Sequence, residues 1–271
     1  MGYFINIKRE EIIEPKEIPA IIQAPAVIFF GEMHENKDVV EGELSILKEL
    51  HRLSREKKLG LTIGMEHFNI HQQSILDKFL KDRISWESLV DEYSKGPEGF
   101  NLEYYKPILF YAKEHKLPIK GLMPPRNEAK LIVREGLKSD LIEKYGLKAS
   151  DVKSYPREYF ERFTQLIPRE GPMSVLSVES LVLAQSFKDE VISLSIAKEL
   201  NSGVDLVYAI MGSGHCEHIG TVPDRGGKYF LHPFGRLIIT TRETPQGESP
   251  QVLIRKVKND TFIIANYVYI I

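Results

Sequence analysis

Short apolar runs alternate with longer segments of helical periodicity along most of the chain. The first run, Ala26–Phe30, is continuous and lacks the apolar–polar alternation of a strand with one face in water. In the segment after it, Leu44, Leu47 and Leu50 are spaced to share one face of a helix. This pattern predicts a strand covered on both faces, followed by an amphipathic helix that ends near Gly60.

The same alternation recurs further along the chain. Three more strands are predicted at Leu61–Met65, Pro118–Met123 and Leu206–Met211. Helical patterns separate them, at Ile75–Leu80, Trp86–Val90, Leu102–His115, Asn127–Gly136, Asp151–Arg169 and Met173–Leu200. Strands that alternate with helices predict an α/β fold, a mainly parallel sheet with helices on both faces. In such sheets ligands bind beyond the carboxyl ends of the strands.

The pattern changes after Gly226–Gly227. Strands separated by turns are predicted at Leu237–Thr241, Val252–Val257 and Phe262–Ile271. We interpret residues 228–271 as an antiparallel C-terminal extension of the sheet. The whole chain, 1–271, is then one domain with its core at about residues 26–225.

The composition of the chain argues against several classes of protein and binding partner. The 271 residues carry a net charge of −2, so no strong field favours nucleic acid or an anionic membrane. A lone Cys216 excludes an internal disulfide framework. The longest apolar stretch, Ile18–Phe30, is too short for a membrane span, and the start of the chain has no signal-peptide pattern or lipobox. We therefore expect a cytoplasmic protein with no membrane span; the oligomeric state stays open, with a homodimer as one option.

Glutamate and histidine side chains cluster where the predicted strands end. Because these ends share one edge of the sheet, the side chains are expected to form a metal-centred or acid–base site. The residues concerned are Glu32 and His34 after the first strand, Glu66 and His67 after the second, and His215 and His218 after the fourth.

Structural alternatives exist for these residues. Glu32 could satisfy the free amides of a helix start, and Glu66 could belong to a buried ion pair. His67 and His218 could be ordinary polar or packing residues. Gly212 and Gly214 would let the chain turn sharply off the fourth strand and expose amides to an anion. Arg126, after the third strand, could bind a carboxylate or a propionate, or pair with a glutamate.

Several segments together resemble the ChaN-like haem-binding uptake family. That family belongs to the Tiki superfamily, which is related to the erythromycin esterases. The similarity runs from about Val27 to Arg225, and it depends on the order and spacing of the segments. The segments are Gly31–His34, Gly64–Phe68, Gly121–Arg126, Gly212–His215 and Val222–Arg225, with Ala184-Gln185 and Asp189-Glu190 in the long helix.

The resemblance implies an α/β fold with a site at the strand ends, and it adds Arg225 to the cofactor-binding residues. It implies haem binding and a link to iron uptake if the chain acts as ChaN-like proteins do. Tiki proteins are metal-dependent proteases that use two Gly-x-x-His motifs and a glutamate, which here correspond to His34, His215 and Glu66. The chain departs from the family pattern at Ser213, where asparagine is usual, and at His67, where an apolar residue is usual.

Two functional hypotheses follow. The first is a ChaN-like protein that binds haem or an iron-centred cofactor, with Arg126, Arg225, Gly212 and Gly214 in contact with it. The second is a metal-dependent hydrolase whose Zn, Mn, Co or Fe ion has His34, Glu66 and His215 as ligands. In that hypothesis Glu32 is the general base, and Glu66 belongs to both the catalytic and the metal-binding sets. Candidate further ligands are His67 and His218, and a cofactor-free α/β scaffold is a third, structural alternative.

Overall fold

The computed structural model describes residues 2–167, 176–245 and 248–271. The strands within these ranges form one eight-stranded sheet in the order β2-β1-β8-β7-β3-β6-β4-β5. Their bounds are β1 (Tyr3–Asn6), β2 (Glu11–Ile13), β3 (Ala26–Glu32), β4 (Leu61–Asn69), β5 (Ile119–Met123), β6 (Leu206–Gly212), β7 (Gly235–Arg242) and β8 (Tyr267–Ile270).

Helices connect these strands and cover both faces of the sheet. They are α1 (Glu17–Ala20), α2 (Lys37–Lys57), α3 (Gln73–Leu80), α4 (Trp86–Ser94), α5 (Leu102–Glu114), α6 (Arg126–Glu135), α7 (Ser139–Tyr145), α8 (Ala149–Lys153), α9 (Arg157–Leu166), α10 (Val178–Asn201), α11 (Val222–Arg225) and α12 (Pro250–Asn259). Among the described residues, no helix has the length and apolar character needed to span a bilayer.

The predicted α/β class is confirmed, as are the four strands of the alternating region. β3 pairs in parallel with β6 and β7, and β4 pairs in parallel with β6 and β5. β8 also pairs in parallel with β7. The predicted antiparallel edge is present, but it does not form within residues 228–271, because β7 and β8 both pair in parallel. It forms where β8 meets β1 and β1 meets β2, an N-terminal hairpin that the sequence pattern did not reveal.

The predicted strand at Val252–Val257 is wrong, because this segment lies within α12. Its β-branched residues suggest a strand, but the buried side chains of Leu253, Ile254 and Val257 have the spacing of one helix face. That face packs on β8 at Val268. Pro250 at the first helical turn favours the helix start.

Two predicted helices have different bounds in the structure. The helix predicted over Asp151–Arg169 is split into α8 and α9, which are separated at Pro156. Residues 168–169 of that prediction lie outside the described residues, as do residues 173–175 of the predicted long helix. That helix is described from Val178 onward.

The apolar run of β3 has its two sets of side chains in two separate cores. Ile28 and Phe30 are fully buried in a core that includes Leu50 of α2. Val27 and Phe29 point to the other face and pack in a core that includes Ile192 of α10. This burial on both faces explains why the run does not alternate with polar residues.

The strand order determines where the site can form. β6 lies between β3 and β4, so the carboxyl ends of three adjacent parallel strands meet at one edge. The edge continues to β5, after which the chain enters α6 at Arg126. Side chains that are far apart in sequence therefore converge at this edge.

Candidate functional site

Glu66 of β4 lies between two histidines that the neighbouring strands supply. His34, just after β3, has its Nε2 atom 3.2 Å from Oε1 of Glu66. His215, in the turn after β6, has its Nε2 atom 3.8 Å from Oε2. The backbone N–H of Gly212 donates to Oε2 at 2.9 Å and fixes the carboxylate. The structure thus brings His34, Glu66 and His215 together, although they are far apart in sequence.

The imidazole of His34 lies between two carboxylates. Its Nδ1 atom is 2.5 Å from Oε1 of Glu32, and 41% of its side-chain surface is exposed. Burial lowers the pKa of His34, but the hydrogen bond to Glu32 and the negative charge of Glu66 outweigh it and raise the pKa to about 9. The free imidazole is therefore a cation at neutral pH.

The imidazole of His215 has a similar environment, supplied by α10. Its Nδ1 atom lies 2.5 Å from Oδ1 of Asp189, and the carboxamide of Gln185 is 3.0 Å from the same nitrogen. Gln185 and Asp189 are four positions apart, which places both on the helix face toward β6. Tyr159 donates to the other oxygen of Asp189 at 2.8 Å. Each of the two histidines therefore has a carboxylate at Nδ1 and Glu66 at Nε2.

Glu32 is the centre of a buried hydrogen-bond network. Its Oε1 atom lies 2.7 Å from Nε2 of His67 and accepts a hydrogen bond from Tyr105 at 2.9 Å, in addition to the contact with His34. Burial raises the pKa of Glu32, but the charge of His67 and the hydrogen bonds from His34 and His67 hold it well below its usual range. The carboxylate is therefore ionised, and its side chain has no exposed surface.

Glu43 approaches this network from α2 and was not among the predicted site residues. It is fully buried, and burial together with the charge of Glu32 raises its pKa well above the usual range. The Glu43 carboxyl is therefore neutral at pH 7. Its position on the apolar face of α2, three residues after Val40 and four before Leu47, was a signal in the sequence.

Asp189, Gln185 and Tyr105 also contact the site and were not predicted as site residues. Asp189 and Gln185 appeared only as part of the family resemblance, and the sequence did not distinguish Tyr105 from the other tyrosines. Spacing alone cannot place them, because their roles depend on how α10 and α5 pack against the sheet.

Two sets of side chains offer nitrogen and oxygen atoms at this edge. In the first, Nε2 of His34 and Nε2 of His215 face different oxygens of the Glu66 carboxylate, at 3.2 and 3.8 Å. In the second, Glu32, His34 and His67 each offer one ligand atom, and these atoms lie within 4.8 Å of one another. In the second set Nδ1 of His34 and Nε2 of His67 are hydrogen-bonded to Oε1 of Glu32, whereas the buried Nδ1 of His67 and Oε2 of Glu32 have no hydrogen-bond partner among the described residues.

Three other predicted site residues have different surroundings. Arg225 is buried and forms an ion pair with Glu190, with Nη1 2.7 Å from Oε1, so its guanidinium is held within the fold. His218 lies in a second group, with Nε2 3.0 Å from Oε1 of Glu217. Gly214 has open space where a Cβ would lie.

Arg126 is exposed at the start of α6, on the rim of the same sheet edge. Its backbone N–H donates to Oε1 of Glu98 at 3.1 Å. Cys216, adjacent to the second glycine–histidine motif, is buried, and burial raises the pKa of its thiol well above the usual range. Cys216 is therefore a neutral packing residue.

The chain is similar to ChaN of Campylobacter jejuni, whose structure was described as showing cofacial haem binding. The two are 18% identical, the alignment covers 99% of this chain and 96% of that one, and the TM-score is 0.69. An erythromycin esterase mutant in its open conformation aligns at 12% identity over 92% of this chain and 79% of that chain, with a TM-score of 0.45.

A curated relative is the protein RETICULATA-RELATED 5, chloroplastic, of Arabidopsis thaliana. It is 22% identical over 212 residues, which are 71% of this chain and 27% of that protein. The chain thus spans about a quarter of the length of this relative. The family model described as "Haem-binding uptake, Tiki superfamily, ChaN" matches residues 20–225, which include both glycine–histidine motifs and Glu66. The chain therefore belongs to the ChaN haem-binding uptake family of the Tiki superfamily.

Proposed function

We propose that this chain binds one divalent transition-metal ion between His34, Glu66 and His215 and acts as a metal-dependent hydrolase. The supporting observation is that both imidazoles direct Nε2 toward Glu66 while a second carboxylate faces each Nδ1. A neutral imidazole that donates from Nδ1 has a lone pair at Nε2. Two such lone pairs and a carboxylate require a cation among them, either a proton or a metal ion.

The ligand types favour a borderline transition metal. Two imidazoles and one carboxylate are a ligand set suited to Zn, Mn, Co or Fe. Metal-bound histidines usually donate their other ring N–H to a carboxylate, which fixes the ring and its tautomer. Glu32 and Asp189 are positioned for this role on His34 and His215.

The chemistry of hydrolysis divides between the ion and the residues around it. When bound, such an ion polarises a carbonyl group and lowers the pKa of a water molecule. The chain orients the ligands: Glu32 and Asp189 hold the imidazoles, and Gly212 N–H holds the Glu66 carboxylate. We assign Glu32 this positioning role rather than that of general base, since its side chain is not exposed and three donors surround Oε1.

Metal analysis tests this proposal. We expect about one equivalent of metal in the purified chain, and its loss in His34→Ala and in His215→Ala. His232→Ala, at an exposed histidine, is the control and should keep the metal. Hydrolysis of p-nitrophenyl acetate should follow the metal content. A chain that takes up no more metal than His34→Ala would contradict the proposal.

A second candidate function is haem binding, favoured by membership of this family and by the fold shared with ChaN. The imidazole–carboxylate cluster does not fit haem, because both nitrogens of His34 face carboxylates and Nε2 of His215 faces Glu66. A haem would therefore bind at another surface of this chain.

Titration with haemin tests the second function. Haem binding predicts a saturable shift of the Soret band that persists in His34→Ala, because the cluster is not its ligand. No saturable shift in the wild-type chain would remove this candidate, and a shift abolished by His34→Ala would place the haem at the cluster instead.

A further inference from the structure

We propose that the substrate carries an anionic group, a carboxylate or a phosphate, that binds to Lys188 with Arg126 as a second cation. This proposal deepens the proposed hydrolase function and rests on it for the reaction, but the anion binding itself needs no metal. It assigns a substrate class to the site and a specificity role to two side chains on its rim.

Lys188 belongs to the helix that orients His215. It follows Gln185 by three positions and directly precedes Asp189, and both of those residues contact the His215 imidazole. Residues three and four apart share a helix face, so Lys188 is on the side of α10 that meets the site. Its side chain is half-buried, which is unusual for a lysine.

The charge of Lys188 is not neutralised by a contacting carboxylate. Within residues 2–167, 176–245 and 248–271, it has no ion pair and no hydrogen bond. Burial lowers the pKa of its ammonium group, and the negative charges of Glu66 and Asp189 offset only part of that effect. Lys188 directly precedes Asp189 on α10, and its ammonium group is bound to no carboxylate of the described residues.

Arg126 adds a second cation near the same place. The helix that begins at Arg126, α6, packs against α10, the helix that carries Lys188. A Cβ at Gly99 would lie 2.8 Å from Nη1 of Arg126, so this guanidinium packs closely on the loop before α5. Two neighbouring cations at a site are stabilised when an anion binds between them.

The loop that packs on Arg126 also reaches the histidine that follows β3. The ring of Phe100 lies 5.0 Å from that of His34 and 4.8 Å from that of His67. Glu98 accepts hydrogen bonds from the Arg126 N–H and from Asn69 Nδ2, at 3.1 and 2.9 Å, which ties the loop to β4. The rim thus combines an aromatic surface over His34 with cations beside it, which suits a substrate with an apolar part and an anionic end.

The two cations suit anions in different ways. Lysine provides a compact charge, and arginine provides a planar fork that matches carboxylate or phosphate geometry. The site interior is rich in carboxylates, namely Glu32, Glu66 and Asp189. Without Lys188 and Arg126, these negative charges would repel an anionic substrate.

The experiment is calorimetric titration of the full chain with benzoate, phenyl phosphate and the neutral analogue benzamide. It is carried out on the protein as purified and again after chelation of metal. We expect at least one anion to bind more tightly than benzamide in both forms. Lys188→Met should weaken that binding about tenfold or more, and Arg126→Gln should weaken it less.

Matched controls are available on the same helices. Lys198→Met on α10 and Lys130→Met on α6 each remove an exposed lysine and should leave anion affinity unchanged. Circular dichroism checks the fold of every variant, and Lys188→Arg, which keeps the charge, should bind better than Lys188→Met.

The outcomes separate this proposal from the metal proposal. Preference for benzoate or for phenyl phosphate identifies the anionic group as a carboxylate or a phosphate. Equal affinity for benzamide, or unchanged affinity in a folded Lys188→Met variant, would overturn the proposal. If the chain holds no metal as purified and takes none up when metal is added, while its anion binding depends on Lys188, the hydrolase function alone is rejected.

Discussion

Gly212 leaves the space that the imidazole of His34 occupies. A Cβ on Gly212 would lie 2.7 Å from Nε2 of His34, too close for any real contact. The glycine that ends β6 therefore permits the histidine that follows β3 to lie beside Glu66. The first glycine–histidine motif therefore depends on the second, since Gly212 makes room for His34.

Gly212→Ala is expected to displace His34 and to reduce metal affinity by more than tenfold, while the fold is retained. A competition titration with a chromophoric chelator measures the affinity. Gly214→Ala is the matched control, because nothing lies within 4 Å of the Cβ that it adds. Equal affinities in the two variants would contradict the proposed role of this close approach.

Asp189→Asn is expected to weaken metal binding about ten- to a hundredfold, because it removes the carboxylate that orients His215. The same chelator competition measures the change. Glu199→Gln, further along α10 and paired with Lys120 on the protein surface, should have no effect. An unaltered affinity in Asp189→Asn would argue against His215 as a ligand.

Metal binding should depend on pH through His34. Its pKa is raised to about 9, so the metal-free protein holds a proton there that the ion must displace. Apparent affinity should therefore rise about tenfold per pH unit from about pH 7 to about pH 9, and level off above that. In the metal-free protein, protonation of His34 also stabilises the fold. This contribution to the free energy of unfolding is fully present below pH 6.5 and is lost as the pH rises to about 9.

Titration of the metal-free chain in weak buffer tests this prediction, since it should release about one proton per bound ion at pH 7.5. A pH-independent affinity across this range would show that His34 carries no proton before the metal binds.

The two neighbouring glutamates should respond differently to the same substitution. Glu43→Gln should change the free energy of unfolding by no more than about 1 kcal/mol at pH 7, because the carboxyl it replaces is already neutral. Glu32→Gln should cost about 3 kcal/mol, because it removes the negative charge that His34 and His67 contact. Urea unfolding measures both, and a larger loss for Glu43→Gln would refute a neutral Glu43 beside an ionised Glu32.

Arg225→Met tests whether this arginine supports the fold or the ligand. We expect a loss of about 3 kcal/mol, because the buried guanidinium pairs with Glu190 and lies 4.0 Å from Asp189, and Lys228 would remain as the cation paired with Glu190. Metal content and anion affinity should not change. Arg236→Met, which removes an exposed pair with Asp224, should cost less than about 1 kcal/mol. Loss of ligand binding in folded Arg225→Met would instead assign it to the site.

The sequence was sufficient for the features that depend on local pattern. The continuous apolar runs predicted β3 and β6 because both faces of these strands are covered, and the position of Glu32, His34 and His215 at strand ends followed from that. Glu66 was predicted to follow a strand ending at Met65, but β4 continues through it to Asn69. The sequence pattern failed at Val252–Val257, where β-branched residues obscured a helical spacing. It also missed β1, which lies between β2 and β8 and pairs with both.

The tertiary structure decided how the site residues contact one another. Sequence determined that two glycine–histidine motifs and a glutamate lie toward the carboxyl ends of parallel strands, because hydrophobic periodicity and chain direction fix which end of a strand a residue is near. It could not show that β6 lies between β3 and β4, that α10 brings Asp189 to His215, or that Glu43 packs near Glu32. These contacts join residues widely separated in sequence, and they arise from the packing of helices on the sheet, which no local pattern encodes.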